Sequence, residues 1–174
     1  MNTKRYGWEN KAGWCALDWS ESGLTKFIFG SDKKEIAAGI DSETVKIVGD
    51  LSDEPTWVKS AVEQLDEYFD GARTAFKAPL DFSASTDFRC RVWKAAMKIP
   101  YGKTCSYKEL ADAAGSPRSA RAVGNALGAN PLPVIVPCHR ILKSDGALGG
   151  FSIGIDVKKD LLALEQKGKA CSKK

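Results

Sequence analysis

With 174 residues, 43% of them hydrophobic, and a net charge of +4, the chain is long enough for one large or two small domains with real cores. No apolar stretch approaches the ~20 residues that span a bilayer, and the opening MNTKRYGWENK lacks the apolar segment of a secretory signal, so an intracellular protein with no membrane partner is expected. Five scattered cysteines (Cys15, Cys90, Cys105, Cys138, Cys171) without a C-x-x-C pair read as reduced thiols, and with His139 the sole histidine no metal site is expected.

The first half begins as a small sheet. Trp14–Asp18 and Leu24–Phe29 are β-prone runs separated by the turn-forming Ser20-Glu21-Ser22-Gly23, and Val45–Val48 suits a third strand. Val58, Ala61, Val62, Leu65, Tyr68 and Phe69 recur at the spacing of one helical face, which predicts an amphipathic helix over 56–69 ending at Gly71. A short strand around Phe76–Phe82 precedes a domain boundary after residue 85. This half carries no evident chemistry.

The second half reads as helices. Thr86 caps a helix that turns Phe88, Val92, Ala95, Ala96 and Ile99 inward and stops at Pro100. A second runs over Tyr107–Ala114 to Gly115. A third opens with Ser116-Pro117, a cap residue followed by proline at the first helical position, and extends to about Gly128. Two short helices joined by a glycine-containing turn fit a helix-turn-helix, although any helical hairpin produces the same pattern. Charge favours the first reading: residues 1–85 carry 10 Lys/Arg against 15 Asp/Glu, and residues 86–174 carry 16 against 7, so the second half is the one suited to a polyanion.

The chemistry concentrates after the third helix, in Asn130-Pro131-Leu132-Pro133-Val134-Ile135-Val136-Pro137-Cys138-His139-Arg140. A β-branched run bracketed by prolines presents a thiol directly followed by the only imidazole. Cysteine is a nucleophile as thiolate, and a neighbouring base or cation generates it. Taken alone, Cys138 also suits a small buried apolar residue.

Pro137-Cys138-His139-Arg140, preceded by Asn130-Pro131 and Arg121-Ala122-Val123-Gly124, resembles the active-site signature of the O6-alkylguanine-DNA alkyltransferases, or methylated-DNA–protein-cysteine methyltransferases. The likeness runs from about Phe88 to Glu165, through Ile99-Pro100-Tyr101-Gly102, Ser106-Tyr107 and Leu161-Leu162-Ala163-Leu164-Glu165, while the first 85 residues match in size and general pattern. It implies an α+β protein in which an N-terminal ribonuclease-H-like α/β domain, non-catalytic, over 1–85 is followed by a mainly helical winged helix-turn-helix domain over 86–174. It also implies a single-turnover enzyme that moves a methyl or other alkyl group from O6-alkylguanine, and from O4-alkylthymine, in double-stranded DNA onto Cys138, as a monomer and with no cofactor.

The resemblance assigns roles residue by residue. The damaged base is rotated out of the duplex so that the thiol can reach the alkyl carbon. Cys138 attacks, His139 acts as base through a water, and Glu165 holds the imidazole. Asn130 is the hinge between the helix-turn-helix and the active-site strand, and Tyr107 hydrogen-bonds the base and crowds the rotated phosphate. Arg121 fills the gap left in the stack. Lys108, Ser116, Ser144 and Arg89 meet the DNA backbone, Ser116 from a helix N-terminus. Ile141, Ser152 and Ile153 form the base pocket. The setting expected is nuclear in a eukaryote and cytoplasmic in a prokaryote.

The chain departs from many relatives in reading Phe151-Ser152-Ile153-Gly154 where they have Tyr-Ser-Gly-Gly. A β-branched Ile153 at the pocket wall predicts slower reaction of bulky adducts such as benzyl. Two other classes use parts of the same pattern: a DNA-binding protein without chemistry on this scaffold, and a cysteine hydrolase built on Cys138, His139 and a carboxylate. The hydrolase has no need of Arg121 or a basic second half, and a protein without chemistry has no need of Cys138.

Overall fold

Alternating side chains, a two-residue turn and a paired charge build the first sheet. The computed structural model describes residues 3–30 and 45–171, with side chains to residue 168. Strand β1 (Thr3–Asn10) turns through Lys11-Ala12 into β2 (Gly13–Trp19), the Asn10 side chain accepting the Ala12 amide and Gly13 taking a positive φ of 96°. Strand β3 (Leu24–Gly30) pairs antiparallel with β2, and β4 (Val45–Ile47) pairs parallel with β1, giving the order β3-β2-β1-β4.

Sequence reading missed β1 because Lys4, Arg5 and Glu9 break its apolar alternation. Across the β1–β2 ladder Arg5 faces Asp18, and the two form a buried ion pair, so charge is carried into the interior with its partner. The helix α1 (Thr56–Phe69) falls where the apolar spacing put it and ends in a left-handed Gly71 with the Ala72 amide returned to Glu67 O. Its Asp66 accepts Trp8 Nε1 at 2.8 Å and Asn10 Nδ2 at 2.7 Å, which seats the helix on the sheet.

No strand forms over Phe76–Phe82. Gln64 of α1 takes the Lys77 amide and carbonyl with its own side-chain amide, and Pro79 has no N–H to give, so the segment keeps a single bridge between Leu24 and Leu80. The chain divides into two compact units, Met1–Phe82 and Ser83–Lys174.

In the second unit α2 (Asp87–Ala96) starts at Thr86, whose hydroxyl accepts the Arg89 amide, and ends before Ile99, which is only half-buried in the turn that follows. Trp93 is its main core residue and donates Nε1 to Ala126 O at 2.8 Å. Strand β5 (Cys105–Ser106) leads into α3 (Tyr107–Ala113), where Ser106 and Glu109 form a reciprocal capping box. The next helix, α4 (Ala120–Gly128), begins later than Ser116-Pro117 predicted. Gly115 (φ 68°) and Ser116 complete the end of α3, their amides returning to Asp112 O and Ala111 O, and Arg118 at φ 66° breaks the helical path, so the next helix has its N-cap at Ser119.

The proline-bracketed run after α4 is a tight turn and not a strand. Val134 has φ 75°, rare for a β-branched residue, and the Val136 amide returns to Leu132 O at 2.8 Å. Cys138–Arg140 then make one 3-10 turn that passes into β6 (Ile141–Leu142), parallel to β5. Leu142 bridges Leu148 across a hairpin over residues 143–147, and α5 (Ile155–Cys171) closes the unit. Among the described residues no helix is long and apolar enough to cross a membrane.

Candidate functional site

A tight turn and the helix behind it present the thiol. Asn130 holds that turn at both ends: its side-chain oxygen accepts the Leu132 amide at 3.0 Å, and Nδ2 donates to Val136 O at 2.9 Å and to Cys138 Sγ at 3.1 Å. Cys138, only 6% exposed, opens onto a cavity of about 780 Å³. The cavity is walled by Tyr107 and Lys108 of α3, Arg121 of α4, Lys143 and Ser144, and the run Gly149–Ser152.

Behind the thiol, the 3-10 turn buries His139 and Arg140 against α5. Glu165 Oε1 pairs with His139 Nε2 at 2.7 Å and accepts Arg140 Nη2 at 2.8 Å. Its Oε2 accepts the Gly102 amide at 2.7 Å and Arg140 Nε at 3.0 Å. Gly102 reaches it from a left-handed turn (φ 64°). Lys158, one further side chain of α5, is fully buried and donates Nζ to Ile141 O.

These surroundings set the protonation states. Burial pushes the Cys138 thiol up, against the opposing pull of the Asn130 hydrogen bond and the Lys158 charge, so the resting group is a thiol that needs a base. Burial lowers the His139 imidazole, opposed by Glu165 and assisted by the charges of Arg140 and Lys158. Burial by itself would raise the Glu165 carboxyl, but the hydrogen bonds and charges of His139 and Arg140 bring it down to about 2. Burial and the neighbouring Cys138 raise the Tyr107 phenol.

Of the residues read from sequence, Cys138, Tyr107, Lys108, Arg121, Ser144 and Ser152 meet at the cavity, and His139, Glu165 and Asn130 surround the thiol from within. Four lie elsewhere. Ile141 is wholly buried in the β5–β6 pair, and Ile153 is half-buried in the turn before α5, directly after Ser152 of the cavity wall. Ser116 sits at the end of α3, and Arg89 borders a smaller adjoining groove with Asn125.

Sequence reading gave no role to Arg140, Lys158, Gly102 or Gly149. Arg140 stood inside the quoted motif and Gly149-Gly150 was a visible glycine pair, but Lys158 in a Lys-Lys pair reads as a solvated face. Gly149 packs on Tyr107: a Cβ there would fall 2.7 Å from ring atom Cε2.

The fold and site together define a sheet-bearing unit followed by a winged helix-turn-helix unit that holds a buried thiol at a basic cavity, with a histidine–carboxylate pair behind it. Residues 9–82 match the ribonuclease-like domain of 6-O-methylguanine DNA methyltransferase, and residues 87–167 match its DNA binding domain. The methylated-DNA–protein-cysteine methyltransferase of Methanosarcina barkeri is 40% identical over 91% of this chain and 94% of its own. That of Mycobacterium tuberculosis is 50% identical over 65% of this chain and 68% of its own. The crystal structure of Mycobacterium tuberculosis OGT in complex with DNA aligns with a TM-score of 0.80 at 38% identity, covering 95% of this chain and 94% of that one. The O6-methylguanine-DNA methyltransferase of Pyrococcus kodakaraensis aligns at 0.66 and 27% identity, over 92% and 98% of the two chains. The chain belongs to the 6-O-methylguanine DNA methyltransferase family.

Proposed function

We propose that the chain repairs alkylated DNA by direct reversal, moving the alkyl group of O6-alkylguanine, and of O4-alkylthymine, onto Cys138. The observation that carries this reading is the buried thiol opening into a cavity walled by the helix-turn-helix, with a histidine and carboxylate behind it. A base stacked in a duplex cannot bring its O6 substituent to a sulfur that is 6% exposed, so the base must leave the stack and enter the cavity. Arg121, which lines the cavity, fills the gap, its planar guanidinium suited to stacking.

His139, held at Nε2 by Glu165, accepts the thiol proton at Nδ1 through a water. The sulfur then attacks the alkyl carbon: the C–S bond forms, the C–O6 bond breaks, and its electron pair stays with the base. The departing guanine takes up a proton from the Tyr107 phenol on the cavity wall, and the phenol is reprotonated by the proton held on His139. A thioether offers no leaving group to water, so each molecule reacts once. The chemistry supplies its own acceptor and calls for no cofactor.

Lys108, Lys143 and Ser144, which line the cavity, contact phosphates of double-stranded DNA, which makes binding salt-dependent and tolerant of sequence. The protein acts as a monomer inside the cell, where its thiols stay reduced.

Intact-protein mass spectrometry after incubation with an O6-methylguanine oligonucleotide tests the reading. The expected result is a gain of one methylene mass, stopping at one equivalent, mapped to Cys138 and absent from Cys138→Ala. Binding without any mass gain sinks it.

A further inference from the structure

Glu165, His139 and Arg140 pose a problem of charge balance, because their side chains are 0%, 0% and 6% exposed. A buried carboxylate beside an imidazole ordinarily draws a proton onto the ring, since the ion pair sums to zero charge and a lone carboxylate does not. An imidazolium cannot take up a second proton. A buried Glu-His pair by itself therefore raises the ring's affinity for a proton and narrows the pH range in which it can serve as base.

Arg140 changes the count. Its guanidinium places Nη2 at 2.8 Å from Glu165 Oε1 and Nε at 3.0 Å from Oε2, engaging both carboxylate oxygens. Nη1 donates to Ile99 O at 2.6 Å, and the guanidinium carbon lies 5.8 Å from the centroid of the Tyr101 ring. Guanidinium stays charged at every accessible pH, so Arg140 and Glu165 already sum to zero, and the neutral imidazole is the balanced third member. The Gly102 amide on Oε2 anchors the carboxylate further.

We propose that Arg140 is a positioning residue for the transfer reaction: by neutralising Glu165 while leaving it bonded to His139 Nε2, it keeps the imidazole both oriented and unprotonated, ready for the thiol proton. This rests on the function proposed above. The charged and titratable groups around the ring are Glu165 and Lys158 from α5, Arg140 and Cys138 from its own turn, and Tyr101 beyond Arg140. Glu165 favours the protonated ring, whereas Arg140 and Lys158 oppose it together with burial.

His139 is the only histidine, so one imidazole resonance set reports on it without ambiguity. The test is an NMR titration of the 15N-labelled ring in the full chain, with methyl-transfer rates measured over the same pH range. In Arg140→Met the ring titrates upward by about one pH unit, and the acid limb of the transfer profile moves with it. Arg140→Lys, which keeps the charge but cannot fork to both oxygens, gives a smaller upward shift. An unmoved titration in folded Arg140→Met overturns the inference, as does a downward one, which would mean that Arg140 serves only to press Glu165 against the ring. Should Arg140→Met not fold, Arg140→Lys decides alone, by an upward shift or none. Failure of the wild type to accept a methyl group would instead sink the proposed function, while the ring titration still settles what Arg140 does.

Discussion

The Nδ2 amide of Asn130 lies 3.1 Å from the Cys138 sulfur and 2.9 Å from Val136 O, so one side chain binds the nucleophile and the turn that presents it. Asn130→Ala removes both bonds together with the acceptor of the Leu132 amide. The expected cost is about 1–3 kcal/mol of stability, measured by urea unfolding. The thiol loses a hydrogen bond that favours its thiolate, so its reaction with iodoacetamide moves to higher pH. An unchanged pH dependence would remove Asn130 from the chemistry and leave it a structural clamp.

Acid stability follows from the same buried cluster. Glu165 titrates at about 2 when folded against an ordinary 4.5, so its contribution is present above 4.5 and lost as pH falls from there towards 2. The shift corresponds to about 3 kcal/mol. His139 is also lowered from its ordinary 6.5, so unfolding takes up a proton below that value and stability begins to fall there. Denaturation midpoints recorded from pH 7 to 3 should fall throughout, and Glu165→Gln should abolish most of the decline below pH 4.5.

Lys158 is fully buried and anchored on Ile141 O, beside the thiol whose ionisation it favours. Lys158→Met keeps the volume and removes the charge. Stability changes by no more than about 1 kcal/mol in either direction, because desolvating the ammonium offsets its attractions. Thiol reactivity at pH 7 falls, an outcome read directly from alkylation rates. A large loss of stability with unaltered reactivity would make this lysine a packing element.

Gly149, packed against Tyr107 on the cavity wall, is the position expected to set adduct size. Gly149→Ala places a methyl 2.7 Å from Cε2 of the ring, too close to be tolerated, and forces the phenol to move. Transfer from O6-methylguanine slows by about ten-fold and from the benzyl adduct by more, while alkylation of Cys138 by iodoacetamide is unaffected. Ile153→Gly leaves the benzyl-to-methyl ratio as it was. A change in that ratio would return Ile153 to the pocket.

Lys108 and Lys143 stand at the mouth of the cavity. Replacing either with alanine should lower the slope of log affinity against log salt by about one, while Lys46→Ala on strand β4 leaves it unchanged. Fluorescence anisotropy with an undamaged duplex measures both.

Much of this protein is local in origin and therefore legible in its sequence. Helices α1 and α3 appear where apolar spacing and the glycines at 71 and 115 put them, because each signal acts within a few residues. The Pro137-Cys138-His139-Arg140 motif and distant Glu165 were visible through the pattern they share with a known family. Other features depend on partners far along the chain. Strand β1 carries Arg5 into the interior because Asp18 meets it across the ladder, and the segment expected as a strand at Phe76–Phe82 gives its Lys77 amide and carbonyl to Gln64. Lys158 is buried because α5 turns it towards Ile141, and Arg140 meets Glu165, Ile99 and Tyr101 only when three separated segments converge. Sequence determined which groups were available for the chemistry. The tertiary structure decided their charge states, since those depend on burial and on neighbours brought together by packing.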